Sequence, residues 1–310
     1  MKQSRSTQVE NGKAFEFAVA KSFSKLLNVE ILESPSSKNA RGSYEKVDEA
    51  LRLRFDNASK KSASHIFEKE ELLRNGATSI WLASDSLGQD GDVRDVIINC
   101  GDKRIGFSCK TNHSAFKHSR LSGKADFIKS WGISESGCSS DYWSQVKPIF
   151  AELTKIRKES AGTALWKEQA DVANRFYWPI LDAFESEINR LSQDPSTQAE
   201  TASKLVSYIV GFQDFYKIVV RKDVVELQAF NLGGTLSVTK TRLPNQIIGI
   251  DRLNGGQYSK TIRLNRGFTF NFRIHSASSR VESSLKFDVT AISLPPSEIY
   301  TNHIMLDYWL

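Results

Sequence analysis

The stretch GDVRDVIINCGDKRIGFSCK, residues 91–110, decides the fold. Two short apolar runs, VIINC and RIGFSC, flank the turn signal GDK, which reads as two antiparallel strands joined by a tight hairpin. Its charges stand where ordinary strand packing does not ask for them. Asp92 and Asp95 lie at the head of the first strand, Ser108 and Lys110 at the end of the second. The ends of a hairpin meet again, so Asp95 comes to lie beside Ser108 and Lys110, and alternation puts those two on one face. A carboxylate and a lysine are thereby placed together.

That pairing suits phosphodiester cleavage, in which Mg²⁺ held by carboxylates polarises a phosphoryl oxygen and activates water while a lysine stabilises charge. One carboxylate is too few to hold the ion tightly. The usual pattern puts an acid two positions before the lysine, where this chain has Ser108. Asp92 is the nearest substitute; Glu16, Glu70 and Glu71 are others. An aspartate facing a lysine is also the ordinary form of an exposed ion pair. The hairpin alone leaves both readings open.

Upstream, NGKAFEFAVAKSFSKLL repeats Phe15, Ala18, Val19, Phe23 and Leu26 at helical steps, with Asn11 as its N-cap. Helices follow around YEKVDEALRLRF and ASHIFEKEELLRNG, the second stopped by Gly76, and TSIWLA reads as a strand. Beyond the hairpin, residues 139–158, 163–191 and 198–212 are helical, with Trp178-Pro179 kinking or dividing the middle one. Trp143, Phe150, Trp166, Phe176, Tyr177, Trp178 and Phe184 recur there at helical spacing and read as core or interface. From Phe215 onward, short alternating runs are punctuated by Gly, Asn and Pro. The expectation is an α/β protein with a mixed sheet and many helices: a core over 1–212 with a helical insertion at about 139–212, then a β-rich portion over 213–310.

Bulk properties agree with a nucleic-acid partner without requiring one. The chain has 310 residues and a net charge of +6, from 42 Lys+Arg against 36 Asp+Glu. Its three cysteines, Cys100, Cys109 and Cys138, form no CxxC pair, which argues against a disulfide framework or a zinc site. With no long apolar run and a polar start, the expected setting is the cytoplasm. Directly after the hairpin, Lys110, Asn112, His113, Lys117, His118 and Arg120 make a cationic segment able to grip phosphates.

Three blocks carry a family resemblance. FSCKTNHSAFKHSRLS (107–122) closely resembles the segment after the catalytic strand of HaeIII-type restriction endonucleases, and FNFRIHSASSRVESSLKFDV (270–289) resembles their C-terminal block. NGKAFEFAVA (11–20) is similar to their opening helix, and the three matches come in the family's order. The resemblance implies a PD-(D/E)xK nuclease core, Mg²⁺ dependence, and type II restriction of double-stranded DNA at GGCC, cut centrally to blunt ends. It implies Asp95 as the motif's aspartate, Lys110 as its lysine and Ser108 in the place of its second acid. Arg94 stands where the motif has proline. Superfamily practice favours Glu16 as the missing acid, with Asp92 in competition.

A palindromic site is cut most simply by a two-fold homodimer, with a monomer acting twice as the alternative, and a restriction-modification system implies a DNA methyltransferase as functional partner. This chain has no glycine-rich cofactor loop of its own for that second activity. Guanine is read best by arginine or lysine in the major groove, and Arg273, His275, Arg280 and Lys286 cluster around HSASSRVESS. Alternation sends Phe268, Phe270, Phe272 and Ile274 to one face of that strand and Arg273 with His275 to the other. Two other readings stay open. One is a sequence-specific DNA-binding protein without nuclease activity, against which the intact Asp95 and Lys110 argue; the other is a PD-(D/E)xK repair nuclease.

Overall fold

A computed structural model describes residues 7–84, 92–112, 115–252, 258–276 and 278–307, and at 115–119 the backbone alone. The fold is α/β, with two mixed or antiparallel sheets and helices. In chain order come α1 (Gln8–Leu27), α2 (Pro35–Lys46), α3 (Glu49–Lys69), α4 (Glu71–Gly76), β1 (Ala77–Leu82), β2 (Val96–Cys100), β3 (Lys103–Thr111) and β4 (Ala115–Leu121). The helical middle follows with α5 (Phe127–Ser130), α6 (Ser140–Glu159), α7 (Trp178–Gln193) and α8 (Gln198–Val210). Last come β5 (Phe215–Val220), β6 (Val224–Phe230), β7 (Ile247–Arg252), β8 (Ser259–Leu264), β9 (Thr269–His275), β10 (Leu285–Ser293) and β11 (Tyr300–Met305).

The chain does not divide once near residue 212. Its two compact units interleave, the first made of Met1–Ser114, Phe212–Arg242 and Pro296–Leu310, the second of Ala115–Gly211 and Leu243–Pro295. The β-rich third is therefore split. β5, β6 and β11 complete a six-stranded sheet of order β1-β2-β3-β5-β6-β11, while β7 to β10 join β4 in a five-stranded sheet of order β4-β10-β9-β8-β7. A change in texture at Phe215 marks the return of strands, but pairing partners are not written in a period of two.

In the first unit the hairpin forms as its turn signal dictates. Gly101 takes φ +63 at the tip, a value that costs glycine nothing, and β2 pairs antiparallel with β3 from Val96↔Phe107 to Cys100↔Lys103. β3 then pairs in parallel with β5, Ser108 opposite Lys217 and Lys110 opposite Val219. Parallel neighbours need a long crossover, and here the Ala115–Gly211 segment of the second unit is spliced into it. β5 is buried along its full length, as a central strand should be.

α1 is capped by Thr7 rather than Asn11, through a capping box with Glu10. It packs Phe23 against Phe107 of β3 at 4.5 Å and Phe15 against Phe55 of α3 at 5.2 Å between ring centroids. Leu26 lies outside this stripe and is exposed. α3 joins the end of the first segment read as a helix to the start of the second, while α2 ends inside the first at Lys46 and α4 begins inside the second at Glu71. α2 carries little apolar signal; Ser34 caps it and Pro35 presets its first turn.

In the second unit α7 begins at Trp178 with Pro179 in its first turn, where a missing N–H costs no hydrogen bond. Phe184 on that helix sits 5.1 Å from Phe272 and 5.0 Å from Phe287, joining helix to sheet. The middle aromatics do form core: Phe150, Trp166, Phe176, Tyr177 and Phe184 are buried, with Trp143 and Trp178 half-buried. Among the described residues no helix is long and apolar enough to cross a membrane. All three cysteines are free and buried.

Candidate active site and nucleic-acid interface

β3 outruns β2, and this builds the site. Antiparallel pairing stops at Val96 opposite Phe107, so Ser108 to Thr111 run on beside the residues leading into β2 while their other edge stays bonded to β5. The Cys109 N–H faces the edge without a strand and donates to Asp95 Oδ2 at 2.7 Å. The same oxygen receives Lys110 Nζ at 3.1 Å and Ser108 Oγ at 3.3 Å. The Asp95 backbone is fixed on both sides, its N–H donating to Phe107 O at 2.8 Å and its carbonyl accepting Ala83 N–H at 2.9 Å. Oδ1 of Asp95 accepts no hydrogen bond among the described residues.

Glu16 comes to this place from α1. It is 7 % exposed, and Lys13 Nζ donates to its Oε2 at 3.2 Å. Burial first, and then the negative charge of Asp95, push its pKa up to about 8. Burial alone would lower the Lys110 pKa, but the charge and hydrogen bond of Asp95, with the charge of Glu16, raise it. Two carboxylates and one ammonium are thus electrostatically joined.

The other candidate acids are committed elsewhere. Both oxygens of Asp92 are taken by Arg94: Oδ1 by its Nε at 2.8 Å and its N–H at 3.1 Å, Oδ2 by its Nη2 at 2.6 Å. Arg94, where the motif has proline, lies nearly buried across Gly106, and a Cβ on that glycine would stand 1.9 Å from Arg94 Cδ. Glu70 is fully buried. Tyr216 Oη donates to its Oε1 at 2.5 Å, Ser237 N–H to the same oxygen at 2.8 Å and Ser237 Oγ to Oε2 at 2.9 Å. Glu71 is exposed at the start of α4.

Lys217 is a site residue with no signal in the local sequence. It is only 2 % exposed, opposite Ser108 in register, and burial, followed by repulsion from Lys110, pushes its pKa down to about 7. A lysine within FYKIVV gives no local sign of this; its burial follows from β5 lying between β3 and β6.

The candidate DNA-contacting residues fall mostly in the second unit. Arg273 and His275 share the face of β9 opposite Phe270, Phe272 and Ile274, and both meet Asp288 of β10: Arg273 Nη2 at 3.2 Å and His275 Nε2 at 2.5 Å from its Oδ2. His275 Nδ1 faces the Ser276 carbonyl at 2.7 Å. Each ring nitrogen therefore has an oxygen partner, and neither is left over for a base edge. Arg120 is drawn into structure as well, donating to Glu282 Oε2 at 2.9 Å and Ser284 Oγ at 2.8 Å.

Arg280 is exposed beside a bridge to Leu165, and Lys286 is half-buried opposite His275. Lys117 and His118 belong to β4, paired through their backbones with Val289 and Asp288, and their side chains lie outside what is described. His113 lies outside the described residues. Asn112 is exposed at φ +55, its N–H donating to Val220 O at 2.9 Å.

A mixed sheet flanked by helices, with an aspartate before one strand and a lysine near the end of its hairpin partner, is the arrangement of PD-(D/E)xK nucleases. Comparison with known proteins is specific beyond that class. The family described as HaeIII restriction endonuclease matches residues 12–295. The chain is 31% identical to the type II restriction enzyme HaeIII of Haemophilus aegyptius, over 94% of this chain and 96% of that one. No solved structure matches.

The chain belongs to the HaeIII restriction endonuclease family: it is a type II restriction endonuclease, a site-specific deoxyribonuclease whose substrate is double-stranded DNA. Enzymes of this class generally need a divalent metal ion. Among the described residues no three or more His, Cys, Asp and Glu side chains cluster to hold one. The chemistry of the donors here, two carboxylates with oxygen atoms only, fits a hard cation that keeps several waters.

Proposed function

We propose that Asp95, Glu16 and Lys110 form the hydrolytic centre of an endonuclease that recognises GGCC and cuts it centrally to blunt ends, with Mg²⁺ as cofactor. The observation that supports this reading is the meeting of Lys110 with Asp95 at 3.1 Å beside a second carboxylate, Glu16, driven toward protonation by burial and by the charge of Asp95. Carboxylates that repel one another in a buried site are relieved by a cation.

Asp95 and Glu16 would hold the metal, which when bound polarises a phosphoryl oxygen and lowers the pKa of a water. The Cys109 N–H and the Ser108 hydroxyl fix Asp95 Oδ2, which leaves Oδ1 to face the ligand. Ser108 acts as a donor to Asp95 and not as the missing acid. Glu16 replaces that acid, because Asp92 is tied up by Arg94. The Lys110 ammonium stabilises charge that builds on the scissile phosphate and orients the attacking water.

DNA is gripped by the segment from Asn112 through His113, Lys117 and His118 to Arg120, and read by Arg273 with support from Arg280 and Lys286. Because GGCC is a palindrome, the working form is a two-fold homodimer. It acts in the cytoplasm beside a methyltransferase that protects the cell's own sites.

The test is digestion of a plasmid of known sequence in Mg²⁺ and in EDTA, followed by sequencing of the fragment ends. Mg²⁺-dependent ends at the centre of GGCC support the whole reading. Ends at another sequence discard the specificity, and cleavage that persists in EDTA discards the metal.

A further inference from the structure

One carboxylate lies on the polar face of the five-stranded sheet with almost no access to water. Asp288 is 6 % exposed. The register places it directly opposite Arg273 on β9 and opposite His118 on β4. Its Oδ2 accepts from Arg273 Nη2 at 3.2 Å and lies 2.5 Å from His275 Nε2. The His275 ring is held at its other end by the Ser276 carbonyl at 2.7 Å.

These contacts divide the labour between the two side chains. His275 has both nitrogens engaged, so it serves as a strut. Arg273 has five N–H donors, gives one of them to Asp288, and keeps 45 % of its side chain exposed. Bidentate recognition of guanine needs two parallel N–H groups aimed at O6 and N7. A free arginine would have to give up its rotamer freedom on binding, whereas an arginine braced by a carboxylate has already done so. A buried carboxylate is costly unless it is paired and hydrogen-bonded, and Arg273 and His275 are among the partners that offset that cost here. A sheet that needed only solubility would carry an exposed polar residue at this position.

We propose that Asp288 is a positioning residue for sequence recognition: it braces the Arg273 guanidinium against β10, with His275 as strut, so that Arg273 alone presents donors to a guanine. This rests on the reading of that sheet face as the DNA-recognition surface. Phe287 and Val289, its neighbours, point to the opposite, buried face, so replacing Asp288 by an isosteric side chain leaves the core untouched.

The experiment compares wild type, Asp288→Asn, Arg273→Ala and the double variant. Dissociation constants are measured in EDTA for a duplex carrying GGCC and for one with a single guanine replaced, alongside single-turnover cleavage in Mg²⁺. The expected result is a loss of about tenfold in the ratio between the two duplexes for Asp288→Asn, with affinity for the substituted duplex unchanged. The double variant should be no worse than Arg273→Ala, because both changes disable one group.

A ratio equal to wild type overturns the proposal, as does an equal loss on both duplexes or additive losses in the double variant. If Asp288→Asn does not fold, Asp288→Glu keeps the charge and moves it by one methylene, and the same ratio decides. If wild type prefers a sequence other than GGCC, that sequence replaces it in every arm; the specificity proposed above then fails while the role of Asp288 is still decided.

Discussion

Lys110 Nζ lies 3.1 Å from the same Asp95 oxygen that accepts the Cys109 N–H at 2.7 Å. The lysine is therefore fixed through the carboxylate, and the carboxylate through the backbone of β3. Substituting either should remove chemistry without removing DNA affinity. For Asp95→Asn and Lys110→Met, single-turnover cleavage should fall by at least about 10²–10³-fold, the cost of deleting one electrostatic stabiliser of a transition state. Binding to a GGCC duplex in EDTA should stay near wild type. Loss of specific binding in both would make the pair structural.

Glu16 carries a pKa of about 8 in the metal-free protein, raised by burial and then by Asp95. At pH 7 it therefore holds a proton that a divalent cation must displace. Below that pKa, metal affinity should climb by about tenfold per pH unit and level off above it. Calorimetry of Mg²⁺ binding in two buffers of different ionisation enthalpy reads the released proton directly. Glu16→Gln should bind the ion more weakly and with a flat pH profile. An unchanged profile would remove Glu16 from the metal site.

Gly106 owes its identity to Arg94, whose Cδ would stand 1.9 Å from an added Cβ and whose Cβ would stand 3.1 Å away. Arg94 Cγ would stand 2.6 Å away as well, so the side chain must leave its present rotamer, and Cβ, close to the backbone, must give by a few tenths of an ångström. Gly106→Ala should displace Arg94, break its paired bonds to Asp92 and cost roughly 1–3 kcal/mol in urea unfolding, as overpacking does. Since Arg94 directly precedes Asp95, cleavage should drop as well. A variant with wild-type stability and activity would show that the segment from Asp92 to Asp95 adapts freely.

The parts of this fold that announce themselves in sequence are local. The hairpin is legible because GDK sits between two short apolar runs, and the two-residue period of a strand puts Ser108 and Lys110 on one face. The Asp95–Lys110 meeting follows from it. α2 stays hidden because Ala40 and Tyr44 are its main apolar buried residues and its helix is set by the Ser34 cap. β4 reads only as a cationic segment, since AFKHSRL becomes a strand by pairing with β10, far along the chain. Lys217 is invisible for the same reason, because its burial depends on which strands flank β5. The engagement of both His275 nitrogens is equally beyond a period-two pattern, which correctly gives the face but not the partner Asp288.

Among the described residues Arg273 makes one ion pair, to Asp288, and its side chain stays 45 % exposed. If it makes a bidentate guanine contact, Arg273→Ala should weaken binding to the GGCC duplex by about 1–3 kcal/mol and relax discrimination at one base. Arg280 is exposed, and the support it lends that reading is expected to come through a backbone phosphate and not a base edge. Arg280→Ala should weaken all sequences alike and reduce the slope of log affinity against log salt by about one. Filter binding over a salt series separates the two. Equal salt slopes and equal losses on every sequence would take base reading away from Arg273.

Lys217 and Glu16 should leave opposite marks on stability. The folded pKa of Lys217 is depressed from its ordinary 10.5 to about 7, by burial and then by Lys110. Between those values the unfolded chain binds a proton that the folded chain does not, so stability rises with pH across that window. Glu16 is raised from its ordinary 4.5 to about 8. Across that window the folded chain binds the extra proton, so stability falls as pH rises. Each slope is at most about 1.4 kcal/mol per pH unit, and they oppose each other between about 7 and 8. Urea midpoints of the metal-free enzyme from pH 5.5 to 9.5 should therefore dip near neutrality. Lys217→Met should flatten the alkaline limb and Glu16→Gln the acid one. A Lys217→Met variant that keeps the alkaline rise would mean that the ammonium stays charged in the fold, held by its neighbours on the sheet.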